Sequence, residues 1–167
     1  MFHPQEITRI GQEINSEQTL HSIIDKTRNA AKADIIVLYP YETALRRFIF
    51  PPLIAGELLD SPVQPLSLGL LDDSAERVAL IKDSHFAKDC ATFYKTLQGS
   101  AHSLVGSFSQ REKVRSIAAV PLQVGDELVG VLFINFRQPQ RFDAAQKLFI
   151  DGLAQYAAIA IKNMRTL

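Results

Sequence analysis

One cysteine, Cys90, stands among the 167 residues of the chain. A single thiol excludes an internal disulfide and any zinc site built from several cysteines. It also suits a reducing compartment. An excess of one charge is missing too: Lys plus Arg and Asp plus Glu both number 18. No overall field therefore draws the chain to nucleic acid or to an acidic membrane surface. No apolar run approaches the roughly 18 residues of a membrane span. The start, Met-Phe-His-Pro-Gln-Glu, lacks the basic and apolar regions of a signal peptide. The expected setting is the cytoplasm, with neither membrane nor nucleic acid as partner. There is no Gly-rich phosphate loop, Gly-X-Ser-X-Gly elbow or pair of catalytic carboxylates, and the expectation is a protein that is not an enzyme. Repeats, low-complexity tracts and linkers are also absent. The length then suits one domain over 1–167 that buries roughly two thirds of its unfolded surface.

What the chain does have is centred on residues 115–136. Two apolar runs flank Gly125-Asp126, the short signal of a β-hairpin. The second run, Leu128 to Phe136, hardly alternates with polar residues. A strand apolar on both sides needs cover on both sides, which predicts a central strand.

Earlier in the chain, Pro4 with Gln5 and Glu6 suits a first helical turn. Asn15-Ser16 is expected to interrupt that helix and cap a second one, with Leu20, Ile23, Ile24, Ala30 and Ala31 as its apolar stripe. Residues 35–41 read as a strand ending near Pro40, and residues 46–50 as another, stopped by Pro51-Pro52. Residues 53–74 read as a long irregular connection, 75–81 as a short helix, and 82–114 as short helices and loops lying over the sheet. Asp143 is an N-cap for a helix over roughly 144–165. That helix carries two apolar stripes. One holds Leu148, Phe149, Gly152, Leu153, Tyr156 and Ala160. The other holds Ile150, Ala154, Ala157, Ile161 and Met164. Two stripes predict a second neighbour, either the first helices or a second subunit, and Ala157 tests which.

The segments ADIIVLY (33–39), SIAAVPL (116–122), GDELVGVLFIN (125–135), Phe142-Asp143 and AQYAAIAI (154–161) together resemble the GAF domain, a sensor module of signalling proteins. The resemblance runs over about residues 16–165, behind an N-terminal helix at 1–15. It implies an α+β fold: an antiparallel sheet of five to six strands, terminal helices on one face, and a lid of loops and short helices on the other. It further implies a small molecule held between sheet and lid, a homodimer through the terminal helices, and an output domain or partner protein outside this chain. The alternatives are a ligand-free dimerisation module, or a redox switch at Cys90.

The pocket residues expected on that basis are Phe50, Phe86, Phe93, Tyr94, Phe108 and Ser116, with Arg115 as polar anchor. Cys90 lies in KDCATF (88–93), which matches neither cysteine motif of the bilin-binding branch, so bilin is not expected. Its spacing to Phe93 and Leu97 instead fits a buried face of a short helix. A redox role needs an exposed thiol of lowered pKa. The cyclic-nucleotide branch resembles Asn-Lys, Phe, Asp-Glu. Here Asn135-Phe136 and Phe142 are followed by Gln146-Lys147, which argues against a cyclic nucleotide. Free methionine sulfoxide reductases of this fold need several cysteines, which excludes that reaction. His3, His21, His85 and His102 do not make a metal set, though His85 or His102 alone suffices for haem, which is not expected either. Arg111, Lys113 and Arg115 suit an anion at a pocket rim, yet the interleaved Glu112 favours a solvated face with local ion pairs.

Overall fold

The computed structural model describes residues 4–49, 52–59, 82–93 and 108–166. Its centre is the hairpin of β5 (Ser116–Val124) and β6 (Glu127–Phe136). Val124 pairs with Glu127 across the turn, and Ser116 with Phe136 at the far end. Gly125 takes φ +60°, which a glycine adopts without strain. Every residue from Val129 to Phe136 is buried, as a central strand requires.

The other side of β6 is taken by β1 (Ile35–Glu42), from Ile35↔Asn135 to Pro40↔Gly130. Two short strands share the outer edge of β1: β2 (Arg47–Phe48) at its end and β3 (Leu53–Ala55) nearer its start. The third edge piece, β4 (His85–Ala87), pairs with β5. The result is a six-stranded sheet in the order β2-β1-β6-β5-β4, with β3 beside β1 and all of these pairings antiparallel.

The period of two sorts the strands between two cores. Ile36, Leu38, Ala118, Val120, Leu132, Ile134 and Phe136 face two long helices, α1 (Pro4–Ala31) and α3 (Ala144–Thr166). Ile23 and Ile24 of α1, with Ile150, Ala154, Ala157, Ala158 and Ile161 of α3, complete that core. Each such side chain, fully buried, contributes roughly 1.5–3 kcal/mol if it is the size of isoleucine. The alternate residues, Ile35, Val37, Tyr39, Ile117, Ala119, Val131 and Phe133, face the lid side. Short pieces cover them there: Phe48, a helical turn at 90–93, the four-residue α2 (Phe108–Arg111), and Val114.

The N-cap of α3 forms as expected. The Gln146 backbone N–H donates to Asp143 Oδ1 at 2.8 Å, and the Gln146 side chain accepts from the Phe142 N–H at 3.1 Å. Three expectations need correction. The α1 helix is one unbroken element of 28 residues, so Asn15-Ser16 does not interrupt it. Those residues cost a helix interior only about 0.7 kcal/mol each or less. Residues 53–55 form β3 rather than irregular chain. Gly56 follows at φ +107°, where a Cβ would overlap the Asp34 carbonyl oxygen. Residues 85–87 form an edge strand rather than part of a lid. Of the two α3 stripes, whose roles the sequence left open, Ile150, Ala154, Ala157 and Ile161 lie in the core. The helix expected at 75–81 lies outside the described residues.

Candidate functional site

The lid face has an apolar floor and an aromatic centre. Phe133 of β6 meets the ring of Tyr39 edge-on at 5.8 Å and that of Phe93 at 6.2 Å. Tyr39, Phe93, Phe108 and Phe133 are each almost completely buried. Of the residues expected in a pocket, Phe93 and Phe108 thus share this core. Phe50 and Tyr94 lie outside the described residues.

Phe86 and Ser116 project from the opposite face. Phe86 packs on the helix-side core, 5.4 Å from the ring of Phe142, with Lys147 Nζ 5.6 Å over its own ring. It borders a cleft of about 450 Å³ between the β4–β5 edge and α3, where Ser84 Oγ donates to Asp151 Oδ1 at 2.6 Å. Ser116 shares its face of β5 with Ala118 and is fully buried. Its Oγ donates to the Lys88 carbonyl at 2.7 Å and accepts from the Gln140 N–H at 2.9 Å. Ser116 is thus a fastening between β4, β5 and the segment leading to α3. Arg115 is exposed, and its backbone N–H donates to the Phe136 carbonyl.

Cys90 is buried, and its thiol donates to the Val114 carbonyl at 3.0 Å. Burial pushes the thiol's pKa up, and the Asp89 carboxylate adds to this against Ser109 and Arg115. These conditions are the reverse of those that make a thiolate reactive. Asp89 is held below the ordinary carboxylate range, first by the Thr92 N–H at 2.8 Å and then by the Thr92 hydroxyl. It therefore caps the turn that carries Cys90 and Phe93.

Two polar features escaped the sequence reading. The first is a buried ion pair: Arg137 Nη2 lies 2.9 Å from Glu112 Oε1, and the Glu112 side chain is 3% exposed. Arg137 also donates to the carbonyls of Glu112 and Glu57, while the Leu59 N–H donates to Glu112 Oε1 at 2.7 Å. Glu112 is therefore no part of a solvated face, although Lys113 and Arg115 beside it are exposed. The signal that was available is a charged residue next to the apolar Phe108 and Val114.

The second is Asn135, which is 0% exposed. Its register with Phe133 and Val131, two and four residues back, puts it on the lid face. Its Nδ2 donates to the carbonyls of Ile35 at 3.2 Å and Phe133 at 3.3 Å, while Oδ1 has no partner among the described residues. An acceptor left so costs about 1–3 kcal/mol. A lone amide inside the apolar run VLFINF was legible in the sequence as an anomaly.

Of the histidines, His3 and His102 lie outside the described side chains. His21 lies 4.0 Å from Glu17, and His85 starts β4. Among the described residues, no three His, Cys, Asp or Glu side chains are grouped to hold a metal, and no helix is long and apolar enough to cross a membrane.

A profile of the GAF domain family matches residues 66–163. Comparison with curated proteins gives no match. Among solved structures, the photoproduct state of a GAF domain from Synechocystis superposes with a TM-score of 0.63 at 16% identity, over 90% of this chain and 96% of that one. The GAF domain of an Acinetobacter phosphoenolpyruvate-protein phosphotransferase gives 0.57 at 20% identity, over 99% and 98%. The blue-light absorbing PixJ GAF domain of Thermosynechococcus elongatus gives 0.62 at 12% identity, over 93% and 89%. At these identities the structural likeness shows the fold alone.

Proposed function

Because the chain belongs to the GAF domain family, the sensory and regulatory modules of signalling proteins, we propose that it is a non-enzymatic sensor that holds a small molecule on the lid face and works as a homodimer through its terminal helices. The observation that carries the dimer is the outer surface of α3. Leu148 is 76% exposed, Phe149 52%, Tyr156 64% and Ile159 43%. These four form the outward stripe of a helix whose inner stripe is fully engaged by the sheet. Large apolar side chains gathered on one surface mark an interaction site, and a second copy presents the same stripe. The output then lies in a domain or partner protein outside these residues, and the setting is the cytoplasm.

Ligand would favour one arrangement of the lid-side pieces, and the segment from Arg137 to Asp143 would carry that preference to α3. The light-absorbing relative keeps a chromophore among the candidate ligands; nothing in the local sequence of Cys90 favours a bilin, and haem and cyclic nucleotides gain no support from the described residues. A second reading is favoured by the ring packing of Tyr39, Phe93 and Phe133, in which the chain fills its own lid face and serves only to dimerise.

Native mass spectrometry with a visible spectrum, on protein as purified, tests the sensor. A dimer with excess mass is expected. A dimer without excess mass, and without a thermal shift in any ligand screen, favours the second reading. Tyr156→Glu is expected to give a folded monomer. A wild-type protein that is itself monomeric overturns the dimer in both readings.

A further inference from the structure

Among the described residues, four side-chain atoms are buried without a hydrogen-bond partner: Arg28 Nε, His85 Nε2, Arg111 Nε and Asn135 Oδ1. Arg28 sits in α1. The other three belong to the lid side: His85 shares its face of β4 with the lid-facing Ala87, and Arg111 ends α2, which begins with the lid-facing Phe108. Buried polar atoms in native proteins are nearly always paired, so a concentration of orphans on one face marks where something beyond these residues supplies the partner.

Asn135 is the most informative of the three. It is completely buried, and it stands on the central strand, opposite Ile35 and Ile117. The amide cannot be turned round. Two carbonyls surround Nδ2, and a flip would set Oδ1 against both of them. Oδ1 is therefore an acceptor with a fixed direction. The floor around it is apolar: Ile35, Ile117 and Phe133, with Phe93 packed on Phe133.

We propose that Asn135 is the polar contact of the lid-side ligand, and that this ligand is a mainly apolar, ring-containing molecule presenting one N–H or O–H to Asn135 Oδ1. This rests on the sensor reading above and narrows it to a chemical class. The apolar and aromatic surroundings suit a flat ring, and the orphan acceptor demands a donor on it.

The test uses the full chain, ¹⁵N-labelled, with indole and 1-methylindole as probes. The two differ in little but the N–H. Indole is expected to shift the Asn135 side-chain amide and the backbone amides of β1 and β6, and to bind about tenfold or more tightly than 1-methylindole. Asn135→Leu, similar in size but without Oδ1, is expected to bind the two alike. Equal binding of both probes by the wild type overturns the proposal, as does binding of neither. A long-lived water bound to Asn135 in the presence of indole overturns it too, because the partner is then solvent. The wild-type comparison stands even if Asn135→Leu fails to fold. If the purified protein carries a ligand that perturbs β1 and β6 but leaves the Asn135 amide unmoved, the sensor reading survives and this inference fails.

Discussion

The two faces of the sheet are covered in different ways. On the helix side, α1 and α3 bury Ile23, Ile24, Ile150, Ala154, Ala157, Ala158 and Ile161 against the strands. A long helix satisfies its own backbone, so apolar burial suffices to hold it. On the lid side the described cover is a two-residue strand, one helical turn and a four-residue helix. Pieces that short cannot satisfy their own backbone groups. Side chains fasten them instead: Cys90 to Val114, Asp89 to Thr92, and Glu112 to Arg137 and Leu59. A face held by a few polar fastenings can exchange them for contacts to a ligand, whereas a face held by continuous burial cannot do so without unfolding. The contrast says why the proposed sensing belongs to one side and the transmission of its result to the other.

The sharpest test of the contrast is Ala157→Glu. Ala157 is 1% exposed and sits among the apolar side chains of the helix-side core. The expected cost exceeds about 4 kcal/mol, which removes most of the stability of a domain at the low end of the ordinary range of about 5–15 kcal/mol. Circular dichroism and amide dispersion check this. Tyr156→Glu, one position away but on the exposed stripe, is expected to leave the fold intact. If Ala157→Glu folds, the helix side is not held by continuous burial.

Next in size is Arg137→Met. It leaves Glu112 buried with the Leu59 N–H but without its cation, which costs about 3–5 kcal/mol for a fully buried pair. The Arg137 side chain is 22% exposed, so the low end is expected. Urea unfolding measures it, and adding Glu112→Gln should recover part of the loss. A cost below about 1 kcal/mol would mean that apolar burial alone holds the lid side, and the two faces would no longer differ in kind.

The same difference decided what the sequence revealed. Continuous or periodic burial leaves a pattern, so the hairpin, β1, the Asp143 cap and both stripes of α3 were legible. Which stripe faces inward was not, because Leu148 and Phe149 are as apolar as Ile150 and Ala154, and only the sheet chooses between them. The lid side was read poorly. Three-residue edge strands such as His85–Ala87 are too short to show a period, and their pairing with β5 depends on chain far away in sequence. Glu112 looked solvated because its partner, Arg137, is 25 residues on. Phe86 and Phe93 both looked like pocket aromatics, yet the sheet separates them.

The smallest effect concerns the turn at 90–93. Asp89 accepts from the Thr92 N–H at 2.8 Å and from its hydroxyl at 2.9 Å. Asp89→Ala should cost about 1 kcal/mol through the lost cap, whereas Asp89→Asn keeps an acceptor and should cost less. The pH dependence separates charge from geometry. Because the folded state depresses the Asp89 pKa, its contribution is present above the unfolded value and is lost as pH falls through the folded one. The penalty of Asp89→Ala, read as a shift in urea midpoint, should therefore shrink in acid, while that of an apolar truncation on the helix side, such as Ile150→Val, should not. Asp89 is largely exposed, so solvent and salt keep this contribution small. A penalty that stays constant with pH would show that the turn is held by the burial of Cys90 and Phe93, as the helix side is, and not by its polar cap.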